Sequence, residues 1–225
     1  MAECVYASVC TQMYRGCEED CVRWKEMSTL LENSQLPVRQ WYPKSLSPDD
    51  CDYDAFCELA EIKDNIVKFV DEGESLYLYS TTTGNGKTSW AVKLLLKYFD
   101  NVWPGNGFRP RGLFVHVPTL LLTLKNFEKK GDADILALKD SLADVDVVVW
   151  DDIASVSLSN YDYGQLIMYI DQRVFSRKCN IFTGNLGRAD LDKALGSRLA
   201  SRVWNASRKI QLKGPDKRRN GDKPW

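Results

Sequence analysis

Gly84-Asn85-Gly86-Lys87-Thr88-Ser89, directly after the apolar run Leu76-Tyr77-Leu78-Tyr79, constrains this chain more than any other stretch. A strand that ends in a Gly-rich turn and restarts as a helix with Lys-Thr in its first turn is suited to hold a nucleoside triphosphate. The backbone N–H groups from Thr83 to Gly86 wrap the phosphates, and the helix N-terminus turns its positive dipole end towards them. Lys87 reaches the terminal phosphates, Ser89 extends the first turn, and the Thr88 hydroxyl is placed for Mg²⁺. The full pattern asks for glycine five residues before Gly86. Thr81 stands there, so the loop has to turn without that glycine's freedom.

A second motif, Val145-Asp146-Val147-Val148-Val149-Trp150-Asp151-Asp152, reads as a strand buried on both faces and ending in paired carboxylates. Ionised carboxylates beside an apolar strand need a cation or hydrogen bonds. With a phosphate loop on a neighbouring strand, Asp151 can hold Mg²⁺ through water and Asp152 can polarise the attacking water. Capping of the following turn is the plainer use of both.

Alternating strands (76–80, 112–117, 145–150, 179–183, 208–213) and helices (87–99, 118–127, 133–142, 161–175, short helices at 188–203) predict an α/β fold. Its parallel sheet carries helices on both faces, with ligands at the carboxyl ends of the strands. A helix over 54–72 precedes it, with Phe56, Leu59, Ile62, Ile66, Phe69 and Val70 at helical spacing. Residues 36–53, punctuated by Pro and Asp, read as a linker. Residues 1–35 read as a small head with a helix from Glu18 to Glu32, and 220–225 as a tail.

The head holds four of the seven cysteines, Cys4, Cys10, Cys17 and Cys21. Four thiolates would complete a tetrahedral Zn²⁺ site and order a segment too short for its own core; free thiols are the alternative. Cys51, Cys57 and Cys179 read as small apolar residues.

Charge excludes a globally basic nucleic-acid binder, since 30 Lys and Arg face 31 Asp and Glu. It is unevenly spread: residues 49–74 hold ten acidic side chains and two lysines, residues 208–223 seven basic and two acidic. Solvated surface is the default reading of both, with Lys217-Arg218-Arg219 a candidate for nucleic-acid contact. No run of about 18 apolar residues and no signal pattern occurs, which predicts a soluble intracellular protein with no membrane partner.

Strand 179–183 ends in Gly184-Asn185, and a polar residue at that tip would contact the γ-phosphate and the attacking water; a turn asparagine is the alternative. Gly196-Ser197-Arg198-Leu199-Ala200-Ser201-Arg202-Val203 puts Arg198 and Arg202 on one helical face. They form either a solvated stripe or guanidinium groups aimed at a neighbouring subunit's phosphate. Trp90 and Trp150 read as core, Trp24 as a partner-binding anchor. His116 reads as a core or site-edge residue.

The order GNGKT, VVVWDD, FTGN, SRLASR, then Lys213-Gly214-Pro215-Asp216-Lys217-Arg218, resembles the AAA+ helicase loaders of bacteria and their phages, the DnaC/DnaI type, over residues 54–219. The resemblance implies an additional-strand P-loop ATPase fold without a helical lid, behind a head that binds the replicative helicase. By position it makes Lys87 and Thr88 Walker A, Asp151 and Asp152 Walker B, Asn185 sensor 1, and Arg202 the arginine finger with Arg198 beside it. The implied cofactors are ATP and Mg²⁺. The implied partners are a replicative helicase hexamer, single-stranded DNA and further ATPase domains, in the bacterial cytoplasm, and the compact form leans towards a phage source. Two rivals share the core: an IstB-like transposition helper acting on duplex DNA, and an adaptor that uses nucleotide as a structural ligand with little hydrolysis.

Overall fold

The computed structural model describes residues 21–41, 46–104, 109–130 and 133–217. Five strands, β1 (Ser75–Tyr79), β2 (Gly112–His116), β3 (Val147–Asp151), β4 (Cys179–Gly184) and β5 (Arg208–Gln211), pair in parallel in the order β2-β3-β4-β1-β5. This is the expected layered α/β fold. β4 lies between β1, which feeds the phosphate loop, and β3, which carries the aspartate pair.

Period-two alternation assigns each strand residue to a face. Leu76, Leu78, Val147, Val149 and Ile181 point to one layer, with α1 (Val22–Asn33), α2 (Tyr53–Asp64), α3 (Ile66–Asp71) and α4 (Lys87–Val102). Tyr77, Val148, Trp150 and Phe182 point to the other, with α5 (Val117–Lys130), α6 (Ala133–Asp144), α7 (Asn160–Phe175) and α8 (Arg188–Trp204). Trp90 and Trp150 are buried, as their apolar surroundings predict, and Trp24 is exposed.

Several boundaries differ from the sequence reading. The helix expected over 54–72 is two helices, broken at Asn65, whose backbone (φ −109°, ψ 24°) leaves the helical region. α8 is kinked at Gly196 (φ 74°). α1 starts at Val22, and its Met27, Leu30 and Leu31 are buried in the same core as α4, so packing is continuous across the expected division at residue 35. Cys51 and Cys57 are exposed rather than packed; Cys179 is fully buried.

One buried cation locks the second layer to the sheet. Arg173 on α7, with no exposed surface, donates Nε to Asn180 Oδ1 at 2.9 Å and Nη1 to the carbonyls of Leu142 and Val145, both at 2.9 Å. Its Nη2 donates to Cys179 O at 2.7 Å. Asn180 Oδ1 also accepts from Trp150 Nε1 at 3.0 Å. Burial pushes the guanidinium pKa down to about 10, and five fixed acceptors keep it cationic at neutral pH. Arg173→Ala strands several buried carbonyls and opens a cavity. We expect a loss of about 3 kcal/mol or more in denaturant unfolding.

Candidate nucleotide site

The phosphate loop turns at glycine where it must. Gly84 and Gly86 have φ of 73° and 104°, a region L side chains rarely adopt. Thr81 is not among the non-glycine residues with positive φ, so the missing first glycine is not needed. Ser80 takes over the bend instead: its Oγ accepts from Thr82 N at 3.0 Å and Asn85 Nδ2 at 2.6 Å. The backbone N–H groups of Thr83, Gly84, Asn85 and Gly86 donate to no acceptor among the described residues, and a Cβ on Gly86 would meet nothing within 4 Å. Lys87 is buried and folds back on this loop, donating Nζ to Thr82 O at 3.0 Å and Asn85 Oδ1 at 3.2 Å. Four unpaired amides, an open mouth and an ammonium held by the loop's own acceptors fit a polyphosphate.

At the head of α4, Thr88 Oγ1 donates to Asp151 Oδ1 at 2.8 Å. The same oxygen accepts from Thr183 Oγ1 of β4 at 2.7 Å. Asp151 is 5% exposed, and burial pushes its carboxyl up; the neighbouring Asp152 adds to this, while the two threonine hydroxyls and His116 offset part of it. Thr88 Oγ1 and, through water, Asp151 are the oxygen donors that would hold Mg²⁺, a cation that takes oxygen ligands.

Asp152 takes φ 57°, an uncommon conformation for a residue with a side chain. Its N–H donates to Thr183 Oγ1 at 3.0 Å, and Ser155 Oγ and N both donate to its carbonyl. His116 ends β2 opposite Asp151 in the strand register; its Nε2 lies 3.8 Å from Asp152 Oδ2 and its Nδ1 2.8 Å from Thr119 Oγ1. Ligand atoms of His116, Asp151 and Asp152 lie within 4.8 Å of one another.

The fold thus gathers Lys87, Thr88, Asp151 and Asp152 at the carboxyl ends of β1 and β3. Ser89 lies beside them in the first turn of α4. Asn185 follows β4 at the same end and is half-buried, with no hydrogen bond among the described residues. Arg198 and Arg202 do not join this cluster: Arg198 Nη2 and Arg202 Nε each lie 2.5 Å from the carboxylate of Asp171 on α7. Burial alone would raise the Asp171 carboxyl, but the two guanidinium groups outweigh it and hold it below the usual range. Cys4, Cys10 and Cys17 lie outside the described residues; Cys21, the fourth expected zinc ligand, immediately precedes α1. Thr183 is a site residue the sequence did not single out, while His116 stands at the site's edge, one of the two places its sequence context allowed.

No protein-family model matches the sequence, and no curated protein matches it. Solved structures do. The crystal structure of the DnaC helicase loader superposes with a TM-score of 0.65 at 21% identity, covering 79% of this chain and 100% of that one. DnaI superposes at 0.63 and 22% identity, covering 82% and 95%. The replication initiator DnaA, bound to AMPPCP and single-stranded DNA, superposes at 0.59 and 16% identity, covering 73% of this chain and 47% of that one. The chain has the AAA+ fold of these proteins. Among the described residues no helix is long and apolar enough to cross a membrane.

The raised carboxyl of Asp151 generates a stability prediction. A folded-state pKa above the unfolded one means the folded chain binds the proton more readily, so stability is greatest at low pH and falls as pH rises through the folded value. Asp151→Asn keeps Oδ1 as an acceptor and removes the buried charge. In thermal melts it should gain about 1 kcal/mol at neutral pH, a gain that vanishes in acid.

Proposed function

We propose that this protein is an ATP-dependent loader that binds the hexameric replicative helicase and helps place it on single-stranded DNA at replication initiation. The observation that carries the reading is the meeting of Lys87, Thr88, Asp151 and Thr183 at one end of a sheet ordered β2-β3-β4-β1-β5, in a fold shared with the DnaC helicase loader over 79% of this chain.

Lys87 and the amides of Thr83 to Gly86 would take the phosphates of ATP, and Thr88 with Asp151 would hold Mg²⁺. Bound Mg²⁺ would offset charge between the terminal phosphates. Asp152 orients the attacking water as an acceptor, and Asn185 senses the terminal phosphate from β4. Arg202, with Arg198 beside it, would leave Asp171 and complete the site of an adjacent ATPase domain. The N-terminal head, carrying a zinc site at Cys4, Cys10, Cys17 and Cys21, is assigned to helicase contact. By binding the open ring more tightly than the closed one, the loader favours a gap through which the strand passes.

Mixing the protein with the replicative helicase of its host and weighing the complexes by native mass spectrometry tests this. We expect a complex that forms with ATP, needs residues 1–35 and carries zinc. Arg202→Ala should leave nucleotide binding intact and cut the ATPase rate of the assembled complex by about a thousandfold. Assembly on duplex DNA without helicase binding would favour the transposition helper. Full loading by an Arg202→Ala, hydrolysis-dead protein would favour the adaptor.

A further inference from the structure

The second half of α8 brings two cations to one anion. Gly196, at φ 74°, breaks the helix, and beyond it Leu199, Ala200 and Val203 are buried against the sheet. Arg198 and Arg202, four residues apart, then share the flank that faces α7. Arg198 Nη2 donates to Asp171 Oδ2 and Arg202 Nε to Asp171 Oδ1, each at 2.5 Å. The Asp171 side chain is 22% exposed, those of Arg198 and Arg202 66% and 43%. One negative charge is thus shared between two positive ones, and the cluster carries a surplus positive charge at the surface. One turn to either side of Asp171 on α7, Met168 and Phe175 stand exposed. Met, Phe and Arg together match the make-up of a surface that another chain covers.

We propose that Asp171 is a positioning residue that holds Arg198 and Arg202 within their own chain and so sets how readily a second copy assembles against this face. The inference rests on the reading of Arg202 as a finger for an adjacent ATPase domain. When the two guanidinium groups turn to a neighbour's phosphate, they leave Asp171 largely buried and without its cations. That loss weakens assembly, because a carboxylate drawn from water needs its charge met. A terminal phosphate offsets the loss, since it carries more charge than the carboxylate it replaces and accepts from both arginines. The surplus positive charge favours the same exchange. Asp171 therefore keeps the arginines paired in the single chain and yields them only where a neighbour presents a stronger anion.

The test uses the full chain, with sedimentation in a non-hydrolysable ATP analogue and Mg²⁺ as one readout and the ATPase rate per chain as the other. Asp171→Asn keeps the shape and removes the charge. It should assemble at about fivefold lower protein concentration than the unaltered chain, and the gap should close in high salt. With Arg198 and Arg202 both replaced by alanine, Asp171→Asn should leave assembly where it was, because the charge it removes has no partner to hold. A purely structural role for Asp171 would weaken assembly instead. Equal or weaker assembly by Asp171→Asn, or a gain that persists without the arginines, overturns the tether. An ATPase rate per chain that does not rise with the concentration of the unaltered protein, or that Arg202→Ala leaves intact, overturns the finger reading itself.

Discussion

Asp151 accepts two hydroxyl hydrogen bonds on one oxygen, from Thr88 at the head of α4 and from Thr183 at the tip of β4. Its own backbone ends β3, so one buried carboxylate gathers three elements that are far apart in sequence. A charge this deeply buried is costly unless its lone pairs are used. Among the described residues the two threonines use one oxygen and leave the other without a hydrogen bond, beside four loop amides that donate to no acceptor. The features that make the free protein less stable here are the ones a bound cation and polyphosphate would relieve. This is the usual physical relation between a binding site and the fold that carries it.

The opposite end of β3 shows the contrast. Asp146 is also drawn from water, and burial alone would raise its carboxyl; Tyr98, Arg111 and Arg109 outweigh that and hold it below the usual range. Its charge is fully met by the protein, so it fastens β3 in place and leaves nothing for a ligand. Among the described residues Asp151 is met by two hydroxyls and no Lys or Arg ion pair, with His116 near its edge. Asp146 directly precedes β3 and Asp151 ends it; cationic partners win over burial at the first, and burial wins over two hydroxyls at the second.

Much of this was legible in the sequence because it is local or periodic. The glycines of the phosphate loop, Lys87 and Thr88 are adjacent, and the β-branched run ending in Asp151 announces a buried parallel strand. Parallel alternation then brings both to the same edge. Thr183 was not legible: within Ile-Phe-Thr-Gly it reads as an ordinary strand residue, and only the β3–β4 register shows its hydroxyl turned to Asp151. His116 likewise becomes a neighbour of Asp152 only through its pairing with β3. The contact of Asp52 with Gly214 spans 162 residues and carries no local signature, so the stretch read as a linker proves to hold a fully buried carboxylate. The break at Asn65 escaped because Phe56, Leu59, Ile62, Ile66 and Phe69 keep their apolar spacing across it.

If the loop around Lys87, closed by Thr88 and Asp151, takes a nucleoside triphosphate with Mg²⁺, binding must depend on both the lysine and the cation. Isothermal titration of ATP into the unaltered protein and Lys87→Ala, each with Mg²⁺ and with a chelator, tests it most directly. We expect one site per chain, weakened at least tenfold by the substitution and by chelation. Equal affinity in all four titrations, or no heat of binding in any, would contradict it.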